Sequence, residues 1–323
     1  CYRSKSEKPH TRGKQGVSLM IGKDFLTIHD LEPGGVLGLV QKADLMKKSP
    51  PPQVLTNKTV ALLFEKPSLR TRVSFEVGVK QMGGSCIFLS NAEVGLGVRE
   101  PEADVARVLD RLVDCIVARV FSHNSLIELA NNTDLPVINA LSDKGHPCQA
   151  MGDCLTVYEH KGKLEGLKMA FIGDGNNIAG SLALACSDAG MDFSISSPEQ
   201  YQLPAEIWKS AQEISNTKGT NLMWTPDPKE AAKEADVIYT DVWVSMGDEG
   251  EKKERLETFA PYQVNESLVE YAKPNFLFMH DMPAHRGEEI STSMLDHNNS
   301  VVYQQAENRL HAQKTIMSEL LSG

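Results

Sequence analysis

The residues best suited to chemistry form one short run, Ser68 to Arg72, with the sequence Ser-Leu-Arg-Thr-Arg. Apolar residues before the run predict a strand over 59–63, and the apolar spacing after it predicts a helix that begins near Ser68 to Thr71. The first amides of a helix lack intrahelical partners, and the arginine side chain offers paired donors for phosphate oxygens. The run therefore predicts a phosphate site, although an ordinary capped helix with solvated basic residues shows the same local pattern.

Two further polar side chains follow apolar segments. Arg119 ends the strand predicted over 115–118, and His146 lies in the loop between the strand predicted over 136–141 and the following helix. Open α/β sheets bind ligands at the carboxyl ends of their strands, so both side chains are expected near the same edge as Arg70. Taken alone, Arg119 also fits a solvent edge, and His146 also fits a surface loop.

A glycine-containing turn at 173–177 follows the strand predicted over 167–172. Its glycines do not have the Gly-x-Gly-x-x-Gly spacing, and the next strand ends without an acidic residue that would bind a ribose. Nicotinamide binding, and with it a Rossmann oxidoreductase, is therefore disfavoured. Asn176 and Asn177 instead offer amide donors and acceptors for a small polar ligand.

Asp241 follows a predicted strand over 235–240 and is placed to neutralise a cationic group of a substrate. Ser245 and Met246 lie in the loop beside it. The last clear strand, over 276–279, leads into the sequence His-Asp-Met-Pro at 280–283. These loops are expected at the carboxyl edge of a second sheet.

The elements that must position these residues alternate between strand and helix patterns along almost the whole chain. Such alternation predicts an α/β fold with mainly parallel sheets. At 323 residues, of which 41% are hydrophobic, the chain is long enough for about two domains. A formal charge of −10 argues against general nucleic-acid binding. No apolar run reaches the ~18 residues of a membrane span.

The six cysteines include no Cys-x-x-Cys pair and mostly lie in apolar segments, which favours reduced core thiols over disulfides or zinc. A reducing compartment is therefore expected, with the cytoplasm as the first choice. Residues 2–15 are polar and basic. That composition fits the remnant of a transit peptide for a mitochondrion or plastid, and it equally fits a plain disordered terminus.

Taken together and in this order, six blocks resemble the aspartate/ornithine carbamoyltransferase family over a span from about Phe25 to Met317. The Asp-Gly-Asn-Asn turn at 174–177 and the Ser-Met-Gly loop at 245–247 are more similar to its ornithine branch than to its aspartate branch. The six blocks are Ser68 to Arg72, Arg119, His146 to Gln149, Asp174 to Asn177, Asp241 to Gly247, and Ala306 to Arg309.

The resemblance implies an α/β protein of two doubly wound domains, with the active site in the cleft between them. Residues 1–146 and 305–323 would bind carbamoyl phosphate, and residues 147–304 would bind ornithine. It further implies a homotrimer with active sites at subunit boundaries, and it implies neither a metal nor a cofactor.

The implied reaction, a step of arginine biosynthesis, transfers the carbamoyl group of carbamoyl phosphate to the side-chain amine of L-ornithine, giving L-citrulline and phosphate. The phosphate would be bound by Ser68, Leu69, Arg70 and Thr71, with Leu69 acting through its backbone N–H. The carbamoyl end would be bound by Arg119, His146, Gln149 and Arg309. The ornithine would be bound by Asn177, Asp241, Ser245, Met246, Asp281 and Met282. The catalytic residues would be Arg70, Arg119, His146, Asp281 and Arg309.

Two residues depart from the family pattern. Leu69 stands where threonine is usual, and the cost is small because the expected contact is mainly made by the backbone. Asp281 stands where ornithine enzymes have a cysteine beside the reacting amine, so it places a carboxylate near the nucleophile. The open alternatives are that Asp281 turns away, that the substrate is putrescine or an ornithine derivative, or that the protein is a catalytically silent relative.

Overall fold

The computed structural model describes residues 19–244 and 249–322. The strands in these ranges are β1 (Thr59–Phe64), β2 (Ser85–Ser90), β3 (Cys115–Arg119), β4 (Val137–Leu141), β5 (Lys168–Ile172), β6 (Asp192–Ser196), β7 (Leu222–Thr225), β8 (Val237–Thr240) and β9 (Leu277–His280). The helices are α1 (Gly35–Lys47), α2 (Leu69–Gln81), α3 (Asn91–Val94), α4 (Glu102–Leu109), α5 (His123–Asn131), α6 (Pro147–Lys161), α7 (Asn177–Asp188), α8 (Ala205–Lys218), α9 (Pro228–Ala232), α10 (Lys252–Phe259), α11 (Glu266–Val269) and α12 (Val302–Leu321). Ser245, Met246 and the basic segment over 2–15 lie outside the described residues.

The strands form two parallel sheets, which confirms the predicted α/β class. The first sheet has the order β2-β1-β3-β4, and the second has the order β7-β6-β5-β8-β9. In each sheet the chain starts in the interior and winds outward in both directions. The winding reverses between β1 and β3 in one sheet and between β5 and β8 in the other, and such reversals are where α/β sheets bind ligands.

The end of β3 lies at the first of these reversals. All five residues of β3 are buried. This burial on both faces of the sheet explains why the strand reads as a continuous apolar run in the sequence. Arg119, its last residue, pairs with Phe64 at the end of β1 and with Leu141 at the end of β4. The register therefore places the Arg119 side chain at the carboxyl edge, beside the turn that leads from β1 into α2.

Helix α6 is the central helix of the molecule. It begins at Pro147, whose missing N–H is no loss in the first turn, and it packs against α1, α7 and α12. One hydrophobic cluster runs from Leu62 of β1 through Met151 of α6 to Phe171 of β5. The helix thus fixes the two sheets with respect to one another.

Helix α12 brings the end of the chain back to the helices that cover the first sheet. It packs against α2, α6 and α1. Gly152 allows this close approach, because a Cβ there would lie 3.2 Å from the backbone nitrogen of Arg309. The domain boundaries at 146/147 and 304/305 stay a prediction. Among the described helices, none is long and apolar enough to cross a bilayer.

Candidate active site

A cavity of about 440 Å³ lies where the carboxyl edges of the two sheets face one another. One wall comes from the turn between β1 and α2 and from the end of β3, and the opposite wall comes from the residues after β5, β8 and β9. The predicted site residues in its lining are Ser68, Leu69, Arg70, Arg119, Asn177, Asp241, Asp281 and Met282. Thr71, His146, Gln149 and Arg309 are buried outside this lining.

The phosphate run begins a helix, as predicted from its spacing. Ser68 has an extended backbone, and its hydroxyl oxygen accepts a hydrogen bond from the Thr71 amide at 3.3 Å. The amides of Leu69 and Arg70 precede the capped position, so they are the first-turn donors that an anion would use. Leu69 is 74% exposed as a residue, which fits a contribution made by its backbone N–H.

Three guanidinium groups, from Arg70, Arg119 and Arg309, concentrate positive charge at this wall. Arg309 donates a hydrogen bond to the Thr71 hydroxyl at 2.5 Å, which joins α12 to α2. Burial, and then the charge of Arg309, lowers the pKa of Arg119 to about 10. In each of the three arginines the buried Nε has no hydrogen-bond partner among the described residues. An anion bound here would supply partners and offset the charge repulsion.

His146 is held neutral beside these arginines. Its backbone N–H donates to the Ser181 hydroxyl oxygen at 2.8 Å, which fixes the residue just before α6. Burial, followed by the charges of Arg309 and Arg119, lowers the pKa of the imidazole well below its ordinary value. A neutral imidazole has one donor and one acceptor nitrogen, so His146 is suited to donate a hydrogen bond to a carbonyl oxygen.

The opposite wall is acidic. One oxygen of Asp241 accepts a hydrogen bond from the Asn176 side-chain amide at 2.7 Å, and the other accepts from the Val242 amide at 2.7 Å. Asn177 donates its own side-chain N–H to the Ser142 carbonyl at 2.6 Å. Asn177 also lines the cavity.

Asp281 lines the cavity and does not turn away from it. One of its oxygens lies 3.4 Å from His280 Nδ1, and His280 Nε2 lies 3.1 Å from a carboxylate oxygen of the fully buried Glu289. Burial lowers the pKa of His280, and the neighbouring carboxylates of Asp281 and Glu289 raise it above its ordinary value. The backbone N–H of Met282 donates to His280 Nδ1 at 2.9 Å, so Nδ1 is an acceptor and the ring hydrogen lies on Nε2, facing Glu289.

Asp241 and Asp281 form a carboxyl pair. Burial, followed by the Asp281 charge, raises the pKa of Asp241 well above its ordinary value. Burial acts in the same direction on Asp281, but its interactions with His280 and with the Asp241 carboxyl outweigh it and lower its pKa. The two carboxyl groups are too close to ionise independently, so the pair favours one negative charge over two.

Asp241, His280 and Asp281 have side chains of the types that bind metal ions. Single ligand atoms of Asp241, His280 and Asp281 lie within 4.8 Å of one another. A divalent cation bound to His280 Nδ1 would have to displace the backbone N–H of Met282, which donates to that nitrogen at 2.9 Å.

Sequence reasoning missed the buried partners of these residues. Gln149 donates its Nε2 hydrogen to Asp153 at 2.8 Å, and Asp153 also accepts from Tyr239 and Gln305. Asp153 is a lone acid within the apolar part of α6, which is a signal that could have identified it, because unpaired acids are rarely buried. Glu289 lies in a polar stretch and gave no such signal.

Comparisons with known proteins give consistent matches. The carbamoyl-P binding domain model of aspartate/ornithine carbamoyltransferase matches residues 23–159, and the Asp/Orn binding domain model matches residues 165–320. The chain is 49% identical over 302 residues to the ornithine carbamoyltransferase of Bacillus subtilis, covering 94% of this chain and 95% of that one.

Solved structures of ornithine carbamoyltransferases have the same fold. That from Pyrococcus furiosus superposes with a TM-score of 0.92 at 44% identity, covering 95% of this chain and 99% of the other. That from Thermus thermophilus gives 0.85 at 40% identity, covering 94% and 100%. The chain belongs to the aspartate/ornithine carbamoyltransferase family.

Proposed function

We propose that the protein transfers the carbamoyl group of carbamoyl phosphate to the side-chain amine of L-ornithine, giving L-citrulline and phosphate in arginine biosynthesis. The observation that carries this proposal is a single cavity with Arg70 and Arg119 in one wall and Asp241 and Asp281 in the other. A phosphorylated donor suits the cationic wall, and a diamino acid suits the acidic one. The names of relatives such as that of Bacillus subtilis support both substrates.

The reaction requires charge to move from the amine towards the phosphate. A neutral amine nitrogen attacks the carbamoyl carbon, the carbonyl oxygen becomes negative, and the bond to phosphate breaks with its electron pair on the leaving oxygen. Arg119 and the neutral His146 would stabilise the carbonyl oxygen, and Arg70 with the first amides of α2 would stabilise the leaving phosphate. Holding both substrates in line removes much of the entropic cost.

We assign the substrate-binding residues as the family resemblance implies. Residues 1–146 and 305–323 bind the donor, with α12 contributing Arg309, and residues 147–304 bind ornithine. The phosphate is bound by Ser68, Leu69, Arg70 and Thr71. The carbamoyl group is bound by Arg119, His146, Gln149 and Arg309. The ornithine is bound by Asn177, Asp241, Ser245, Met246, Asp281 and Met282.

A citrulline assay tests the function directly. With carbamoyl phosphate as donor, we expect product with ornithine and at least about 100-fold lower kcat/KM with lysine, putrescine and Nα-acetylornithine, because each changes the length or the α-amino acid end. Faster carbamoylation of putrescine would replace ornithine as the substrate. Calorimetric binding of carbamoyl phosphate without product from any amine would instead identify a silent relative.

We also propose that the protein is a homotrimer. Leu69, Val73 and Val77 are spaced four residues apart on α2 and are exposed, so they form one apolar stripe. Ile87 on the edge strand β2 is also exposed. An exposed apolar stripe of this kind fits an interface, and Leu69 places the stripe beside the cavity.

Substitution within the stripe tests the assembly. We expect Val73→Glu to dissociate the trimer, because burying an unpaired carboxylate between subunits costs several kcal/mol. Light scattering coupled to gel filtration would report the mass, and Val108→Glu, at a similarly exposed valine on α4, is the matched control. A monomeric native chain, or a Val73→Glu variant of native mass, would contradict the proposal.

The described cysteines are all free, and four of the five are buried. We therefore propose a reducing compartment, with the cytoplasm preferred to the mitochondrion or plastid.

A further inference from the structure

Within the part of the chain that the structure describes, only the amide nitrogen of the Gln149 side chain makes a hydrogen bond. The residue is 1% exposed, and its Nε2 donates to Asp153 Oδ1 at 2.8 Å. Its Oε1 is buried and has no hydrogen-bond partner among the described residues. A buried amide oxygen without a donor costs free energy, which a bound N–H group would recover.

The orientation of this amide follows from a chain of hydrogen bonds that begins on the backbone. The backbone N–H of His280, which can only donate, donates to Gln305 Oε1 at 2.9 Å. Gln305 must therefore turn its Nε2 to the other side, where it donates to Asp153 Oδ1 at 2.8 Å and to the Tyr239 hydroxyl oxygen at 3.1 Å. Since Asp153 Oδ1 accepts, Gln149 must present its Nε2 to it and turn its Oε1 away.

Protonation of Asp153 does not undo this orientation. Burial raises the pKa of Asp153 to about 7, against the hydrogen bonds from Gln305 and Gln149. A proton on Asp153 would reside on Oδ2, beside the Tyr239 hydroxyl at 3.1 Å, because Oδ1 already faces two amide donors. Oδ1 is thus an acceptor in both states. Two charged groups outside this hydrogen-bond chain act on Asp153: the Asp281 carboxylate raises its pKa, and the Arg309 guanidinium also interacts with it.

We propose that Asp153 is a positioning residue that makes the site selective for an acyl phosphate carrying an –NH2 group. Held by Asp153, the Gln149 oxygen accepts a hydrogen bond from the carbamoyl –NH2. An acyl phosphate with a methyl group in that place offers no donor and leaves the oxygen unpaired. The inference rests on the proposed function, because it names the group of the donor substrate that Gln149 recognises.

Calorimetric titration with carbamoyl phosphate and with acetyl phosphate tests this role. The native protein is expected to bind carbamoyl phosphate at least about tenfold more tightly than acetyl phosphate. In Asp153→Leu, which removes the acceptor at nearly constant volume, the Gln149 amide is free to turn. We expect the Kd for carbamoyl phosphate to rise about tenfold and the Kd for acetyl phosphate to change less than about threefold.

Two matched variants separate orientation from general disturbance. Asp153→Asn keeps one oxygen for the two amides and turns its Nδ2 to the Tyr239 hydroxyl, which can accept, so native selectivity is expected. Tyr239→Phe removes a neighbour of Asp153 but not the acceptor, and the same result is expected. If Asp153→Leu has no native circular dichroism, Asp153→Ala replaces it with the same expectation, because water in the space both donates and accepts.

Equal weakening of both ligands in the Leu or Ala variant would assign Asp153 a purely structural role and overturn the inference. An unchanged ratio of the two Kd values, or a native protein that binds both ligands equally, would overturn it as well. Failure of the proposed function looks different, because the native protein would then form no citrulline from carbamoyl phosphate and ornithine.

Discussion

Arg119→Ala is expected to lose about 10² to 10³ in kcat while keeping the native fold. Arg119 lines the cavity at the end of β3, and its buried Nε has no partner among the described residues. Its charge is fixed before the reaction begins, so we expect it to stabilise the developing oxyanion without the cost of reorganising solvent. Removing a buried cation from a cluster of three also relieves repulsion, which is why stability should not fall with activity.

The measurement is citrulline formation at saturating carbamoyl phosphate and ornithine, with a thermal melt of each variant. Arg72→Ala is the matched control, because Arg72 belongs to the same run but pairs with Glu76 at 2.8 Å and stacks on the Phe88 ring. It does not line the cavity, so turnover within about threefold of native is expected. Near-native turnover of Arg119→Ala would contradict the assignment of Arg119 to the carbamoyl end.

Replacing Asp281 is expected to move the pH dependence of kcat to lower pH by about one unit. The ornithine side chain is an ammonium at neutral pH, with an ordinary pKa close to that of lysine, and it reacts only as the neutral amine. A carboxylate beside it stabilises the ammonium form and raises its pKa. Asp281→Asn or Asp281→Cys removes that charge, so the neutral amine becomes available at lower pH.

The alternative effect, proton transfer to Asp281, is the weaker of the two. The interactions with His280 and Asp241 hold the pKa of Asp281 below its ordinary value against burial, and the charge of Arg309 acts in the same direction. Such a carboxylate is a poor base for an amine whose pKa is about 10. Ion pairing therefore determines the direction in which the pH dependence of kcat shifts. We expect it to slow the native reaction at neutral pH, where the amine is held as an ammonium, and to have little effect at alkaline pH.

The profile must be measured on kcat, because kcat reports groups in the substrate complex whereas kcat/KM reports the free enzyme and free substrate. Asp281→Asn preserves shape and removes charge, and Asp281→Cys introduces the residue usual in the family. The two variants should shift alike. Superimposable native and Asp281→Asn profiles would contradict ion pairing, and a shift to higher pH would favour a role for Asp281 as base.

The sequence was informative where the signal is local. Ser68 caps a helix that starts one residue later, and the apolar strand before Arg119 ends at that residue, so both positions could be predicted without knowing the fold. The carboxyl-edge rule for parallel sheets then predicted that Arg119 and Asp241 lie at ligand-binding edges. The structure adds that these edges face one another across one cavity.

The buried hydrogen-bond chain could not be predicted in the same way. Asp153 meets Tyr239 and Gln305, which are 86 and 152 residues away, and no local pattern relates positions so distant. The environment of Asp281 was equally hidden, because a buried Glu289 that pairs with His280 contradicts the usual exposure of glutamate. Long-range polar pairs depend on the assembled fold, whereas caps and strand ends depend on neighbouring residues.

The hydrogen bond between Arg309 and Thr71 has a consequence for how the protein is made. The two residues are separated by 238 positions. At ~5–20 residues per second, a ribosome adds Arg309 about 12 to 48 s after Thr71. During that interval the nascent chain contains the Ser68 to Arg72 run but lacks the guanidinium that joins α12 to α2. This contact between the two helices can therefore form only after synthesis is nearly complete.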